Sequence, residues 1–555
     1  MSFVKSLLEM MSTRPEAWAW AFWVPCFMLL LAVAKGGLRL KSTGVQWVGG
    51  AIGLLALVVF GWFSYHYLVS QQYLNAMPTQ IFEVSWYFEQ GHPLYHDAQS
   101  PEIYSMLYGP YLYIFTGTLE KLLGPSVLAA KLAGQLATAS ALGLLLVLLW
   151  CRGAKLSTSL FLTGIFACLI VLDPLGAYLD RADNFIVLFV VLGAWAAYSP
   201  WKIASIAFGV ALGISVNLKV HAFLYFIPLA WLAWRTGYRG KSILATLATA
   251  AFVALLPFWV YSNISLSNYL WILRTAAHHG LNAPDFVNVV VWVGCLTLPM
   301  LTAVWLVYKQ DASATADALR RVTGLIGWLA VASIVLIIPA SKNASGPYHF
   351  LPMAIMLPLL IVELAQAGMP FPGNTSAATA GMFAVILSWL ISCCGAGILR
   401  SYQYAAFFKM RASTAAGIQT EIDEIQQKYG YDHILLMGNS DNDHFEWTQV
   451  RASLVFSGQP VGLEPVALMD MEFGGVRMPT LPEITTALMA REPGRKIIWL
   501  VPNEGVPFSM HSYYASWANN EYQPSPPVYD EKFRKDFGQT FQRIASTQHF
   551  DLYSN

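Results

Sequence analysis

Charged residues are scarce in this sequence. Lys, Arg, Asp and Glu make up 12% of its 555 residues, whereas about a quarter is usual in soluble domains. Hydrophobic residues make up 56%, and so few polar side chains cannot cover the surface of a soluble protein of this size. The apolar excess must therefore face lipid. This composition excludes a soluble enzyme, a disordered protein and a disulfide-bonded scaffold.

Cysteines are few, and several well-known motifs are missing. The six cysteines all lie in or beside apolar segments, so we predict neither a disulfide framework nor a cysteine zinc site. A P-loop, a Rossmann glycine fingerprint and a His-Glu-x-x-His motif are all lacking, which argues against a nucleotide or zinc enzyme. The net charge of +1 argues neither for nor against nucleic acid. We expect no nucleic-acid partner, no metal site and no required cofactor.

The charge that is present is unevenly distributed. Residues 400–555 contain 13 basic and 18 acidic residues, whereas the preceding 399 residues contain only 34 charged residues. We therefore predict a transmembrane domain over 1–399 and a soluble domain over 400–555. In the second domain, an amphipathic helix is predicted at about 403–428, and the apolar runs at 433–437 and 496–501 are strand candidates. This alternation predicts a small α/β domain.

Runs of apolar residues long enough to cross a bilayer predict an α-helical polytopic membrane protein with about twelve spans. The first run is rich in tryptophan and lacks the small-residue cleavage site of a signal peptide, so we predict that it is retained. The predicted spans lie near 16–34, 46–66, 126–150, 157–173, 184–199, 201–217, 220–235, 242–261, 286–308, 321–340, 349–367 and 376–397.

Basic residues in the short loops predict the orientation of these spans. One set of loops contains twelve Lys or Arg residues and the opposite set contains five, so the first set should be cytoplasmic. The outer face then carries the loops at about 67–125 and 262–285, the loops around Asp180 and Tyr348, and the C-terminal domain. We predict a multi-pass protein of the cell (inner) membrane with an extracytoplasmic C-terminal domain. The twelve residues are Lys35, Arg39, Lys41, Arg152, Lys155, Lys202, Arg235, Arg239, Lys241, Lys309, Arg320 and Arg321; the five are Lys121, Arg181, Lys219, Arg274 and Lys342.

The first outer loop carries the most informative polar residue. The hydrophobic period predicts a short amphipathic helix at about 79–90 and an apolar helix at 108–122 that is too short to span and lies along the interface. Glu83 is at the start of the first of these helices, where a carboxylate can meet a membrane-bound substrate. The predicted spans are almost free of ionisable residues, and the unusual polar groups lie at their outer ends. This pattern favours chemistry at the membrane surface over passage through the membrane.

Taken in chain order, the motifs of the outer face resemble those of the type-C (GT-C) membrane glycosyltransferases. This superfamily includes protein O-mannosyltransferases, aminoarabinose transferases and bacterial polyprenol-dependent mannosyl- and arabinosyltransferases. The chain departs from the family pattern in having Glu83 where Asp is usual, and in a predicted extra N-terminal span. The resemblance covers roughly residues 46–400, and its motifs are Glu83, Gly91 to Tyr95, Gly109-Pro110-Tyr111, Leu123-Gly124-Pro125, Val127 to Gln135 with Lys131 where Arg is common, Asp180 to Asn184, Asn217 to His221, and Lys342 to Pro352.

This resemblance implies that the protein moves a sugar, with inversion, from a polyprenyl-phosphate donor to an acceptor hydroxyl on a lipid-linked glycan, a polysaccharide or a protein. A carboxylate would accept the hydroxyl proton, and cations would stabilise the departing phosphate. The residues expected to be catalytic are Glu83, Asp180 and Asp183; those expected to bind substrate are Arg181, Lys219, His221, Lys342, Tyr348, His349, Tyr108 and Arg274.

Structural interpretations of the same residues stay open at this point. Glu83 would also suit the polar face of an interfacial helix, and Asp180 and Asp183 would suit the N-terminus of the next helix as capping residues. Lys219 would also suit a side chain that extends to the headgroups. Tyrosines such as Tyr108 collect at membrane interfaces without binding sugar.

Two other functions compete with this prediction. A transporter or flippase of lipid-linked sugars requires charged residues around a mid-bilayer cavity and an internal repeat, and neither is plain in the sequence. A glycan polymerase or ligase would use basic residues of a late outer loop, for which Arg274 is the best candidate. A divalent cation is an alternative at Asp441 and Asp443, although an Asp/Asn-rich turn accounts for them more simply.

Overall fold

The computed structural model describes eleven stretches of the chain. The first predicted span, Asp180 and the Asp441 and Asp443 pair all lie outside these stretches, so the predictions made for them stay predictions. The described residues are 42–73, 76–172, 181–199, 203–294, 297, 312–342, 345–367, 377–440, 448–503, 505–509 and 528–555.

The described part of the chain is mostly helical, with a small sheet near the C-terminus. Short 3-10 turns at Val220–Ala222 and Pro347–Phe350 lead into two of the helices. The helices are α1 (Ser42–Val69), α2 (Ala76–Glu89), α3 (Pro110–Leu123), α4 (Val127–Cys151), α5 (Leu156–Leu172), α6 (Ala182–Tyr198), α7 (Ala204–Leu218), α8 (Phe223–Arg235), α9 (Lys241–Val260), α10 (Leu266–Ala277), α11 (Ala283–Gly294), α12 (Ala312–Ala340), α13 (Leu351–Ala354), α14 (Met356–Gln366), α15 (Ala377–Tyr429), α16 (Thr448–Phe456), α17 (Pro465–Phe473), α18 (Leu481–Arg491) and α19 (Glu531–Thr540); the strands are β1 (His433–Met437), β2 (Lys496–Pro502), β3 (Gln542–Ser546) and β4 (Phe550–Ser554).

The helices agree with the predicted spans, and each predicted span after the first overlaps at least one described helix. In the part of the chain that the structure describes, five apolar segments are long enough to cross a bilayer, and α5, α6, α7 and α11 are shorter apolar helices. The chain is therefore a membrane protein. The count of twelve spans stays a prediction, because helix length and composition alone do not show which helices cross the bilayer.

Small residues allow α7 and α9 to pack with their backbones in contact. A Cβ on Gly209 would lie 2.6 Å from the carbonyl oxygen of Thr246, and one on Gly213 would lie 2.5 Å from that of Ala250. Glycines four residues apart on one helix face commonly allow such close packing between membrane helices. Because α7 ends at Leu218, this contact holds the following residues, which include Lys219, in a defined position.

At one end of the bundle, the buried carboxylate of Glu363 forms ion pairs with two arginines. Glu363 on α14 forms ion pairs with Arg152 (3.0 Å) and with Arg235 (3.1 Å). The loop charges had assigned both arginines to the same face, and the structure brings them together. Their partner Glu363 shows that this end of the bundle is held by ionic contacts between helices far apart in the chain.

The C-terminal part differs in two ways from the prediction. The last predicted span and the helix predicted at 403–428 form a single helix, α15, because no proline interrupts 377–429 and single glycines are tolerated inside a helix. The two predicted strands are present as β1 and β2, but the sheet has four strands in the order β1-β2-β4-β3. The first pair is parallel, and the other two pairs are antiparallel.

One side of the sheet packs against the end of α15. Ile418, Ile422 and Ile425 on α15 form a buried cluster with Leu435 of β1 and Leu500 of β2. Helix α16, which follows the sheet's first strand in the chain, packs against α2 of the first outer loop, and α17 also touches α2. The C-terminal part therefore lies directly on the helix that carries Glu83.

Candidate active site

The Gly-Pro-Tyr motif joins the first outer loop to the end of α7. The Gly109 N–H donates to the carbonyl of Leu218 (3.2 Å), and the Tyr111 N–H donates to the Asn217 side-chain oxygen (3.1 Å). A Cβ on Gly109 would lie 1.6 Å from the Asn217 carbonyl oxygen, so only glycine allows this approach. Pro110 then occupies the first turn of α3, where its missing N–H costs nothing.

A buried ion pair connects the ends of α6 and α7. The Lys219 ammonium donates to both carboxylate oxygens of Asp183, at 2.7 and 2.8 Å. Lys219 is 6% exposed and Asp183 is fully buried. Lys219 therefore does not extend to the headgroups. Asp183 lies in the first turn of α6, whose N-cap residue is Arg181, so Asp183 is bound to lysine rather than capping the helix with its side chain.

Arg181 lies beside this pair and is fully buried. None of its three guanidinium nitrogens has a hydrogen-bond partner among the described residues. The guanidinium carbon is 5.7 Å from the centre of the Tyr348 ring, a distance at which a cation interacts with an aromatic face. A buried guanidinium without a bound anion is costly. Arg181 is thus the strongest candidate for holding an anionic group.

Two tyrosines and two histidines surround the cations. The Lys219 ammonium lies 5.0 Å from the Tyr348 ring centre and 5.5 Å from that of Tyr108. His349 stacks on Tyr348 with the ring centres 4.5 Å apart, and its Nδ1 lies 3.0 Å from Nε2 of His221. These predicted residues come from four separate segments of the chain and form one cluster, which we call the cation site: Arg181, Asp183, Lys219, Tyr108, Tyr348, His349 and His221.

Glu83 lies away from the cation site's helix ends, on α2, the helix that packs against α16 and α17 of the C-terminal part. It is 1% exposed, and its Oε1 has no hydrogen-bond partner in the described part of the chain. Burial raises the pKa of Glu83 well above its usual range, the nearby Glu464 carboxylate raises it further, and Arg451 opposes both. An exposed polar helix face therefore does not account for Glu83.

The C-terminal part is fixed to the first outer loop by direct contacts. The Glu464 N–H donates to the carbonyl of Ile103 (2.9 Å), next to a parallel bridge between Ile103 and Leu463. Further along, Arg491 pairs with Glu102 at 2.9 Å and donates to the Tyr87 hydroxyl at 2.7 Å. These contacts hold Glu464 and Arg451 against α2.

Tyr108 of the cation site and its neighbour Tyr113 both lie near acidic residues of the C-terminal part. Burial raises the pKa of Tyr108, and its other charged neighbours are Arg181, Asp183 and Asp470. Burial likewise raises the pKa of Tyr113, whose neighbours include Tyr108, Asp470 and Glu464. The acidic residues of the C-terminal part therefore border both the cation site and the surroundings of Glu83.

The remaining predicted residues lie outside this cluster or at its edge. Arg274 is exposed, and its side chain makes no hydrogen bond or ion pair with any described residue. Lys342 donates to the carbonyl of Ala276 (3.4 Å), but its charge still acts on His221 and His349. Lys131, by contrast, donates to three backbone carbonyls in the last turn of α1 and just after it, at 2.6 to 2.8 Å, which gives it a structural role.

Sequence reasoning missed Glu464 and Arg451. Pro465 at the first position of α17 marks Glu464 as an N-cap residue, and its carboxylate accepts from the Ala467 N–H at 2.9 Å. That local signal predicts a helix start and nothing more. The contact with Glu83 depends on how the C-terminal part docks. Among the described residues, no group of three or more His, Cys, Asp or Glu side chains is placed to hold a metal ion.

No family model and no curated protein matches the chain. The crystal structure of ArnT from Cupriavidus metallidurans in the apo state matches with a TM-score of 0.51 and 12% identity, over 92% of this chain and 98% of that one. The chain has an ArnT-like fold. ArnT is a GT-C glycosyltransferase, so the resemblance found in the motifs is confirmed for the fold. A structure of the same protein bound to undecaprenyl phosphate matches with a TM-score of 0.49 and 11% identity, over 93% and 98% of the two chains.

Proposed function

We propose that the protein is a membrane glycosyltransferase that moves a sugar from a polyprenyl-phosphate donor to an acceptor hydroxyl at the outer face of the cell (inner) membrane. The acceptor would be a lipid-linked glycan, a polysaccharide or a protein. The C-terminal part would lie on the extracytoplasmic side. The observation that carries this proposal is the fully buried Arg181 guanidinium, which has no hydrogen-bond partner among the described residues.

A phosphate group satisfies the chemistry of the cation site. A guanidinium binds phosphate through two parallel N–H donors, and the Lys219 ammonium beside Tyr348 adds a second positive charge. Asp183 neutralises Lys219 and holds it in place. One net positive charge from Arg181 therefore remains for the donor phosphate. The aromatic rings of Tyr108 and Tyr348 would lie beside the sugar or the phosphate.

Glu83 is the carboxylate that we propose as general base. In an inverting transfer, the acceptor oxygen bonds to the anomeric carbon as the bond from that carbon to the phosphate oxygen breaks. The hydroxyl proton passes to the carboxylate, and the polyprenyl phosphate leaves with the bonding electrons. Asp183 is less suited to this task because both of its oxygens already accept hydrogen bonds from Lys219. The proposed reaction uses no metal ion.

The charged residues buried in the bundle do not favour a transporter. Lys131 is bonded to backbone carbonyls, and Glu363 is paired with two arginines at one end of the bundle. Neither is placed as a substrate relay along a path across the membrane. Arg274, the best support for a polymerase or ligase, is exposed and makes no ion pair with described residues. A glycosyltransferase accounts for more of the buried polar groups.

The test separates donor binding from turnover. Arg181→Gln should weaken binding of undecaprenyl phosphate to the purified protein in nanodiscs at least about tenfold, as expected for the loss of a charge-assisted phosphate contact. Glu83→Gln should keep that binding but abolish sugar release from undecaprenyl-phosphate mannose, arabinose or aminoarabinose, assayed with host membranes as acceptor and EDTA present. Arg274→Gln is the matched control and should change neither. Unchanged binding in Arg181→Gln, or turnover by Glu83→Gln, would contradict the assignment.

A further inference from the structure

We propose that Glu464 is a positioning residue that acts on Glu83 across the contact between α17 and α2, so that the two carboxyl groups together retain one proton in the resting protein. The inference rests on the proposed role of Glu83 as general base. It assigns to the C-terminal part of the chain a direct influence on the chemistry of the first outer loop.

Both carboxyl groups are buried, and they lie on helices that pack against each other: Glu83 is on α2, and Glu464 is the N-cap of α17. Both are at most 1% exposed, and Oε1 of each has no hydrogen-bond partner among the residues that the structure describes. Glu464 caps α17, so its Oε2 accepts the Ala467 N–H and faces the positive end of the helix dipole. Glu83 lies inside α2 and has no such donor. The negative charge therefore belongs on Glu464 and the proton on Glu83.

One arginine provides the positive charge for this pair. Arg451 on α16 is buried and donates to the Asn439 side chain, and it lowers the pKa of both glutamates. Burial nevertheless raises the pKa of Glu464 to about 7 and that of Glu83 well above its usual range. Arg451 is the one cation among the described residues that acts on both carboxyl groups, and two buried carboxyl groups beside one cation do not both ionise easily. The other charged groups on α2 and on the helices packed against it are Glu89, Glu120, Lys121, Asp470 and Glu472.

The position of Glu464 is set by contacts outside the pair. Its N–H donates to the carbonyl of Ile103. Arg491, the last residue of α18, forms an ion pair with the adjacent Glu102. A movement of the C-terminal part would carry Glu464 away from Glu83 and make Glu83 easier to deprotonate. The docking of the C-terminal part therefore influences how easily Glu83 loses its proton.

Removing either charged neighbour should move the acid limb of the pH profile in opposite directions. The limb of kcat/KM reports the loss of the proton that blocks the base in the free enzyme. Glu464→Gln should shift it to lower pH by about one unit, and Arg451→Gln should shift it to higher pH by a similar amount. Asp530→Asn, which alters the acidic N-cap of α19, is the control and should leave the limb unchanged. An unchanged or upward shift in Glu464→Gln would overturn the proposal.

Infrared difference titration of the purified protein tests the shared proton without any substrate. Glu120 is also buried, and neither of its carboxyl oxygens has a hydrogen-bond partner among the described residues, so it should contribute a carboxylic acid band of its own. The component to follow is therefore the one that is present in the wild type and absent in Glu83→Gln. That component should titrate at lower pH in Glu464→Gln. If Glu83→Gln keeps turnover while the band behaves in this way, the proposed base is wrong but the acid pair stands. If the titration pH of this band is the same in Glu464→Gln as in the wild type, the proposed pair is refuted. Should one variant fail to fold, the opposite shift expected of the other decides the matter alone.

Discussion

Replacing one member of the buried pair of Asp183 and Lys219 should lower the unfolding free energy strongly, whereas replacing both members together should lower it only a little. Asp183→Asn leaves a buried ammonium without its counterion, and Lys219→Met leaves a buried carboxylate. At the observed separation of 2.7 Å, the attraction is about 6 kcal/mol for an effective dielectric constant of 20. Loss of one partner of a buried pair usually costs about 3–5 kcal/mol, whereas replacement of both by neutral groups is often close to neutral.

We therefore expect each single variant to lose about 3–5 kcal/mol of unfolding free energy, and the double variant to lose less than either. Reversible unfolding in mixed micelles, followed by circular dichroism, measures these three values. The double variant should stay folded yet lack turnover, which separates the structural contribution of the pair from the proposed role of Lys219. Single-variant losses below about 1 kcal/mol, typical of exposed pairs, would refute the burial argument, as would additive losses in the double variant.

Two further predictions concern the first outer loop. Gly109→Ala should lower the unfolding free energy by more than about 2 kcal/mol and greatly reduce turnover, because the new Cβ would collide with the Asn217 carbonyl. Gly143→Ala is the control. Its Cβ would enter open space, so this variant should be neutral or slightly stabilising. Burial lowers the pKa of His96 to about 4, and Nδ1 accepts the Ser105 N–H at 3.0 Å, so protonation favours the unfolded state. Unfolding free energy should therefore fall as the pH drops from about 6.5 to 4, and His96→Gln should show a weaker fall; equal slopes would remove His96 from this role.

Periodicity and length were sufficient to predict most helices, because an apolar run of membrane length has few other stable conformations in lipid. They also predicted the two short helices of the first outer loop. Strands β3 and β4 were missed because, unlike the apolar runs of β1 and β2, they are interrupted by polar residues such as Arg543 and Asp551. In the structure β4 pairs with β2, which is buried along nearly its whole length, and β3 pairs with β4.

The roles assigned to the candidate site residues stay predictions, but the structure shows which of these residues lie together. The motif order placed Arg181, Lys219, Tyr348 and His349 on one face, and the structure joins these residues in one cluster. The count of basic residues in the predicted loops also placed Arg274 on that face, but Arg274 is exposed in the structure and lies outside the cluster. Loop charge indicates the side of the membrane, but it carries no information about distance within that side.

The sequence by itself determined that this is a helical membrane protein with polar residues concentrated beside its helix ends. Because the chain has so few charged residues, the hydrophobic effect excludes a soluble fold. Only the tertiary structure decided which of those residues meet. It paired Asp183 with Lys219, left the Arg181 guanidinium buried beside Tyr348, and packed α17, whose N-cap is Glu464, against α2, which carries Glu83. Such contacts depend on the docking of segments far apart in the chain, whereas the patterns readable in a sequence reflect neighbours within one helix or strand.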